Sequence, residues 1–455
     1  MATKRRSSSS TSGRWPPTPS SGTSTPSRLP ALRRTAVTGI GVVAPGGPSR
    51  EAFWEAITAG RTATRGITFF DPSGFRSQIA AEVDFDQDAA GLTEHEVRRM
   101  DRYIQFAAAA GMEAMTDSGL DLEAAARGRM GVSLGSAVGG TMVLEDGYVA
   151  VSNRGKEWLV DPDYARPFLY PGLVPSSLAS ELALKFGANG PAVVISTGCT
   201  SGIDAIGYAH QMIQDDEADV VISGAAESPI SPISMACFDP IKATSQRNDD
   251  PAHASRPFDR DRDGFVMGEG GAVLVLEEME SALARGAHIY CELTGFASRG
   301  NAYHMTGLTK EADEMTEAVL DAMRQGGTQP QDINYINAHG SGTKQNDRHE
   351  TAAYKKALGD QAYNIPISSI KSMIGHSLGA IGAIEMSACA LAIDRGVVPP
   401  TANWENPDPE CDLDYTPRQA RQTPVDCALS TASGFGGFQS AMIFTTPPEL
   451  KETGP

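Results

Sequence analysis

Short apolar runs rich in β-branched residues alternate along most of this chain with longer stretches whose apolar positions recur at helical spacing. Residues 34–43 (RTAVTGIGVV) predict a buried strand ending in a glycine turn, and residues 49–60 a helix with Glu51 in its first turn. Strand-like runs return at 131–136, 192–196, 218–224 and 271–277, with a helix over 202–214. The second half repeats the theme, with strands over 289–295, 333–337 and 441–445 and helices over 312–324, 346–358 and 380–395. These runs lack the alternation of a half-exposed strand, so they predict an α/β protein whose mostly parallel sheets are covered on both faces. No linker or shift in composition divides the halves.

Two segments match across the halves, ISTGCTSG at 195–202 and INAHGSG at 336–342. In each a strand runs into a turn of small residues that presents one reactive side chain. This puts Cys199 and His339 at the C-terminal ends of strands, where open α/β sheets assemble their sites.

With 455 residues, 40% of them hydrophobic, the chain can bury a large core. Its 38 basic and 56 acidic residues give a net charge of −18, which excludes a general nucleic-acid binder. The charge is uneven. Residues 1–34 hold Lys4, Arg5, Arg6, Arg14, Arg28, Arg33 and Arg34 and no acid, which leaves 31 basic against 56 acidic residues, or −25, in the remainder. Residues 1–33 are also rich in Ser and Pro and predict a disordered basic leader. A transit peptide is the alternative, but Trp15-Pro16-Pro17 interrupts any helix with an apolar face. Uncharged stretches such as 186–203 are broken by Gly, Pro, Ser and Thr, so no membrane span is expected. The six cysteines lie at least 16 residues apart without a CxxC pair, which points to a reducing, cytoplasmic setting and no metal site.

Two motifs have rival readings. GIGVVA at 39–44 imitates the dinucleotide fingerprint, but it continues into PGGP instead of opening a helix, so a tight structural turn is expected. GHSLG at 375–379 matches the nucleophile elbow of hydrolases and acyltransferases with Ser377 at its centre, yet no histidine follows His376 to complete that order. Cys199 is either a buried structural thiol or a nucleophile whose pKa is lowered at a helix N-terminus. His339 and His376, each in a turn rich in Gly and Ser, favour the nucleophile. His95, His210, His253, His288, His304 and His349 read as ordinary core or surface side chains. Lys371 stands among apolar and hydroxyl residues, which implies a function or an ion pair with Asp347 or Glu350.

Taken together, Cys199, His339, Lys371 and His376 make the chain resemble the β-ketoacyl synthases, in particular their elongating, two-histidine branch. The resemblance spans roughly residues 34–446 and includes RPFDRDRDGFVMGEGGAVLVLE, INAHGSGTKQNDRHET, SSIKSMIGHSLGAIGAIE and SGFGGFQSA. TGCTSG, HGSGTKQNDRHET and GFGGFQS are similar to the ketosynthase α subunits of bacterial type II aromatic polyketide synthases. Fatty-acid enzymes of this branch usually carry Asn where this chain has Gln439.

The resemblance implies the thiolase fold, two similar halves (34–288 and 289–446, with 447–455 a tail) in a five-layered αβαβα sandwich. It implies that Cys199 carries the acyl chain, that the N–H groups of Cys199 and Phe435 form an oxyanion hole, and that His339 and His376 act at the malonyl thioester. Lys371 would orient a histidine through a polar network with Glu350, near Asp347. Ser341 and Thr343 would bind the phosphopantetheine arm, and Phe435 would gate the acyl pocket. No further cofactor is implied. The implied partners are an acyl carrier protein and a cysteine-less chain length factor in a heterodimer, with a fatty-acid homodimer as the alternative. A carrier protein is typically acidic, so docking on this acidic body calls for a local basic patch, for which Arg98, Arg99, Arg102, Arg166 and Arg247 are the candidates.

Overall fold

Ten strands form one sheet in the computed structural model, which describes residues 32–157, 163 and 167–451. In chain order they are β1 (Thr35–Val43), β2 (Met130–Gly135), β3 (Ala192–Ile195), β4 (Val220–Glu227), β5 (Gly270–Glu278), β6 (Cys291–Gly300), β7 (Tyr335–Asn337), β8 (Ile367–Ser368), β9 (Cys427–Gly434) and β10 (Phe438–Thr445). The principal helices are α1 (Arg50–Thr58), α2 (Arg102–Ser118), α3 (Thr141–Val151), α4 (Ser177–Phe186), α5 (Ser201–Gln214), α6 (Asp313–Gly326), α7 (Lys344–Leu358) and α8 (Ile381–Arg395). Shorter helices and two small sheets fill the connections.

Across the sheet the order is β3-β2-β4-β5-β1, then β6-β10-β9-β7-β8. Adding five to each strand number of the first half gives the second half in mirror order, so the chain is a structural duplication. The halves meet where β1 pairs with β6, and only over Thr35, Ala36 and Val37. Helices repeat as well, since α5 follows β3 as α8 follows β8.

Helices α5 and α8 touch each other and strands of both halves, α2 and α4 cover the outer face of the first half, and α6 covers that of the second with α7 packed beside it. The two five-stranded halves of the sheet therefore lie on either side of α5 and α8 as two β layers joined only at β1/β6, which is the five-layered arrangement of the thiolase fold. Every residue of α8 from Ile381 to Ala392 is buried, as its nearly all-apolar sequence demands for a helix between two sheets.

Strand direction departs from expectation. Pairs β2/β3, β2/β4, β7/β8 and β7/β9 are parallel, but β4/β5, β5/β1, β9/β10, β10/β6 and β1/β6 are antiparallel. A strand buried on both faces is apolar throughout in either direction, so its sequence does not record which way it runs. Helix α2 and strand β9 were not anticipated either. Helix α2 carries alanine on several sides, with a run over residues 107–110, which blurs its period.

That helix explains the fingerprint-like glycines. Gly39 and Gly41 lie within β1 and not in a turn, and a Cβ at Gly41 would sit 1.9 Å from the Ala110 carbonyl oxygen of α2. The small residues permit close helix-to-strand contact. Arg33, assigned to the leader, is anchored by Asp216 at 2.8 Å and Asp219 at 2.7 Å. Arg34 joins Glu292 to Glu449, and Glu449 belongs to a short helix (Pro448–Lys451) in the presumed tail. The rest of the leader, residues 1–31, lies outside the described residues. Among the described residues no helix is long and apolar enough to cross a membrane, and no cluster of three metal-ligating side chains occurs.

Replacing Gly41 by Ala should destabilise the fold by about 2 kcal/mol or more, because backbone on both sides must move. A thermal or urea midpoint equal to that of the parent protein would contradict this packing.

Candidate active site

Strand β3 ends at Ile195 and the chain turns through Gly198, whose φ of +64° suits a residue without a side chain. A 3-10 turn (Gly198–Thr200) then feeds α5, placing Cys199 at the junction. Asp204 locks this turn. One carboxylate oxygen accepts from Thr197 Oγ1 at 2.6 Å and Thr200 Oγ1 at 2.8 Å, and the other from Ser440 Oγ of β10 at 2.6 Å. The nucleophile turn of the first half is thereby tied to a strand of the second.

The equivalent turn after β7 carries His339. Glu350, on α7, accepts from the N–H of His339 at 2.6 Å and of Gly340 at 2.8 Å, and from Tyr354 and Thr431 hydroxyls at 2.7 Å each. His376 follows a short helix (Lys371–Ile374), its N–H donating to the Val266 carbonyl at 2.8 Å. Its Nε2 lies 3.2 Å from Cys199 Sγ. The two imidazoles meet edge to face, with centroids 5.3 Å apart.

Lys371 does not pair with Asp347 or Glu350. Its Nζ donates to the His339 carbonyl at 2.5 Å and forms its ion pair with Glu385, in the middle of α8. Glu350 has both oxygens occupied by the donors just named. Asp347 faces Arg262 at 3.1 Å and takes the N–H groups of Gly342 and Phe258. Sequence reasoning missed Glu385, Asp204 and Arg262. The first had a signal, since Glu385 is the one charged residue in its helix before Asp394.

Burial dominates the electrostatics. It pushes the Cys199 thiol up to about 11, against the opposing pull of the Lys371 charge and the Phe435 N–H. The lowering expected from the helix N-terminus is overridden by the loss of solvent. Both histidines are held well below their ordinary value by burial and then by the Lys371 ammonium, so both are neutral. Burial raises Glu385 to about 7 despite Lys371.

A cavity joins these groups. Cys199, His339, His376, Ser341 and Thr343 line it together with Phe238, Phe265 and Phe435. Ser341 and Thr343 hydroxyls lie 3.0 Å apart. The N–H groups of Phe435 and Cys199 both favour the thiolate and so pull against the effect of burial. Outward, past Phe435 and Thr343, the cavity opens to a wide mouth lined by Lys242, Arg260 and Lys344.

Two further readings concern Ser377, which the sequence already sets aside as a nucleophile, and the docking arginines. Ser377 is buried, its hydroxyl meets no hydrogen-bond partner and no strand leads into it, so it is not an elbow nucleophile. Arg99 forms a forked pair with Glu181 and Arg102 with buried Glu269, while Arg98 pairs with Glu94 along its own helix. Neither these three nor Arg247 line the mouth, and Arg166 lies outside the described residues.

A thiol between two neutral imidazoles, where two duplicated α/β halves meet, defines an acyl-transfer site of the thiolase fold. Residues 32–282 match the family "Beta-ketoacyl synthase, N-terminal domain" and residues 290–405 its C-terminal domain. The chain belongs to the β-ketoacyl synthase family and is an enzyme of the acyltransferase kind. It is 64% identical over 419 residues to a putative polyketide beta-ketoacyl synthase 1 of Streptomyces cyaneus, covering 92% of this chain and 99% of that one. It is 58% identical to the tetracenomycin polyketide synthase ketoacyl synthase alpha subunit of Streptomyces glaucescens, covering 92% and 99%. Among solved structures it resembles a type II polyketide synthase ketosynthase in complex with its acyl-carrier protein, AntDE:AntF, with a TM-score of 0.86, 38% identity and coverage of 91% and 100%. The ishigamide ketosynthase/chain length factor matches with a TM-score of 0.84, 32% identity and coverage of 92% and 100%.

With the thiol near 11, the Cys199 peptide should be alkylated by iodoacetamide at a rate that still climbs about tenfold per pH unit between pH 7 and 9.5. A plateau reached by pH 8 would contradict the dry environment assigned to the sulfur.

Proposed function

We propose that this chain is the ketosynthase α subunit of a type II polyketide synthase, which extends a Cys199-bound acyl chain with malonyl units by decarboxylative condensation. The observation that carries this reading is the placement of His376 Nε2 at 3.2 Å from Cys199 Sγ with His339 against it, both rings neutral.

In the first step Cys199 sulfur attacks the carrier thioester carbonyl while His376 takes the thiol proton. The oxyanion sits between the N–H groups of Cys199 and Phe435, and collapse expels the carrier thiol, which receives the proton. In the second, malonyl thioester loses carbon dioxide. His339 and His376 donate hydrogen bonds to the enolate oxygen, each from the one ring N–H that a neutral imidazole keeps. The enolate carbon then attacks the Cys199 thioester, the same hole holds the second oxyanion, and the sulfur leaves as thiolate and takes up one proton from solvent, the proton that the overall condensation consumes. Ser341 and Thr343 hold the phosphopantetheine arm, and Phe435 gates the passage.

The partner in this reading is a chain length factor. Edge strand β3 supports it, being only half-buried, with exposed Val138, Tyr148 and Val149 on the loop and helix that follow its neighbour β2. An acidic carrier protein would dock at the mouth, where Lys242 and Lys344 have no ion-pair partner among the described residues. The six free cysteines suit a reducing cytoplasm.

Co-expression with a cysteine-less partner and an acyl carrier protein should give unreduced polyketides on the carrier, with an acyl adduct by intact mass that disappears in Cys199→Ala. An adduct persisting in that variant sinks the assignment, and saturated chains from a homodimer would favour a fatty-acid enzyme. Reversing both Lys242 and Lys344 to Glu should raise KM for carrier-borne substrate about tenfold with kcat within about twofold. An unchanged KM would place docking elsewhere.

A further inference from the structure

One buried carboxylate beside the site has no part in the chemistry above. Glu227 closes β4 and is fully buried, yet its neighbours are hydrogen-bond donors and not a cation. One oxygen accepts from Ser136 Oγ at 2.8 Å and from the N–H groups of Gly139 at 3.1 Å and Val138 at 3.3 Å. The other accepts from the N–H of Ala137 at 2.6 Å and of Gly379 at 3.2 Å. The carboxylate therefore ties the loop after β2 to the turn that carries His376.

Gly379 is the point where the two catalytic turns touch. A Cβ there would lie 2.4 Å from Ala137 N and 2.7 Å from Glu227 Oε2. A Cβ on Gly202, in the first turn of the Cys199 helix, would lie 3.0 Å from the Gly379 carbonyl oxygen. The loop is fixed from its other side as well, because Ser136 N–H donates to Ile195 O, the last residue of β3 before the Cys199 turn. His376 has a second anchor in residues 266–268, where its N–H and C=O are bonded. Residues 377–380 on the far side of its turn depend on the Gly379 contact, and Leu378 within them holds a left-handed φ of +46° that its surroundings must maintain.

We propose that Glu227 is a positioning residue for the condensation: by holding Gly379 and the 136–139 loop together, it sets the His376 imidazole against Cys199 sulfur. It touches neither substrate nor sulfur and acts through the turn. Small displacements at such a distance matter, since a misplacement of about 1 Å can cost about a hundredfold in rate.

The test compares the parent enzyme with Glu227→Gln and Ser136→Ala, using malonyl carrier protein and following carbon dioxide release. The amide keeps the volume but cannot accept at both ends, so Glu227→Gln should lower kcat at least about tenfold while KM stays within about twofold. Ser136→Ala removes one donor of five and should lower kcat by a smaller factor in the same sense. A folded Glu227→Gln enzyme with parental kcat would overturn the proposal, as would a loss of activity that only tracks the loss of folded protein. Should the Gln variant fail to fold, parental kcat in Ser136→Ala overturns it equally.

Discussion

The ammonium of Lys371 lies out of reach of solvent, directly beneath the reaction centre, and the surrounding groups are arranged around that charge. It is neutralised by one acid, Glu385, supplied by the helix that separates the two sheets, and its remaining donor capacity goes to the carbonyl of His339. A buried pair of this kind adds little net stability, but losing one member costs about 3–5 kcal/mol because the other is left uncompensated. Its effect on function is electrostatic. Burial, and then a cation this close, keep both imidazoles from protonating, which leaves each ring one N–H to donate and one nitrogen that can take a proton.

Duplication explains how such a site can be rigid. Each half delivers one turn from the end of a parallel strand, Cys199 after β3 and His339 after β7, and each turn is held by a buried acid that contributes no chemistry. Asp204 serves the first turn through hydrogen bonds from hydroxyl groups, and Glu350 the second through hydrogen bonds from N–H and hydroxyl groups. Those acids reach across the molecule, Asp204 to Ser440 of β10 and Glu350 to Thr431 of β9. The catalytic distances are therefore set by cross-links between elements, and no single loop carries them.

The reactive residues were legible in the sequence because their signal is local: a β-branched run, a glycine-rich turn and one Cys or His. The α/β class was legible for the same reason. Partners were not, because hydrogen-bond pairing depends on which helix lies between the sheets, and Lys371 reads as equally near Glu350 and Asp347 until Glu385 is seen across from it. Strand direction was hidden by double-sided burial. The thiol was misjudged because the helix N-terminus is visible in sequence, whereas the dryness of the cavity around Cys199 depends on Phe238, Phe265 and Phe435 from three distant segments. Basic residues at 98–102 looked free for docking, yet Arg99 and Arg102 turn out to hold Glu181 and Glu269.

Catalysis at this site depends on neutral histidines next to a buried cation, and proton occupancy of those rings can be observed directly. In 15N-histidine-labelled protein, the His339 and His376 ring resonances, assigned by single His→Gln variants, should keep the shifts of neutral imidazole as pH falls from 8 to 5.5. Protonation of either ring with a midpoint near 6.5 would contradict it.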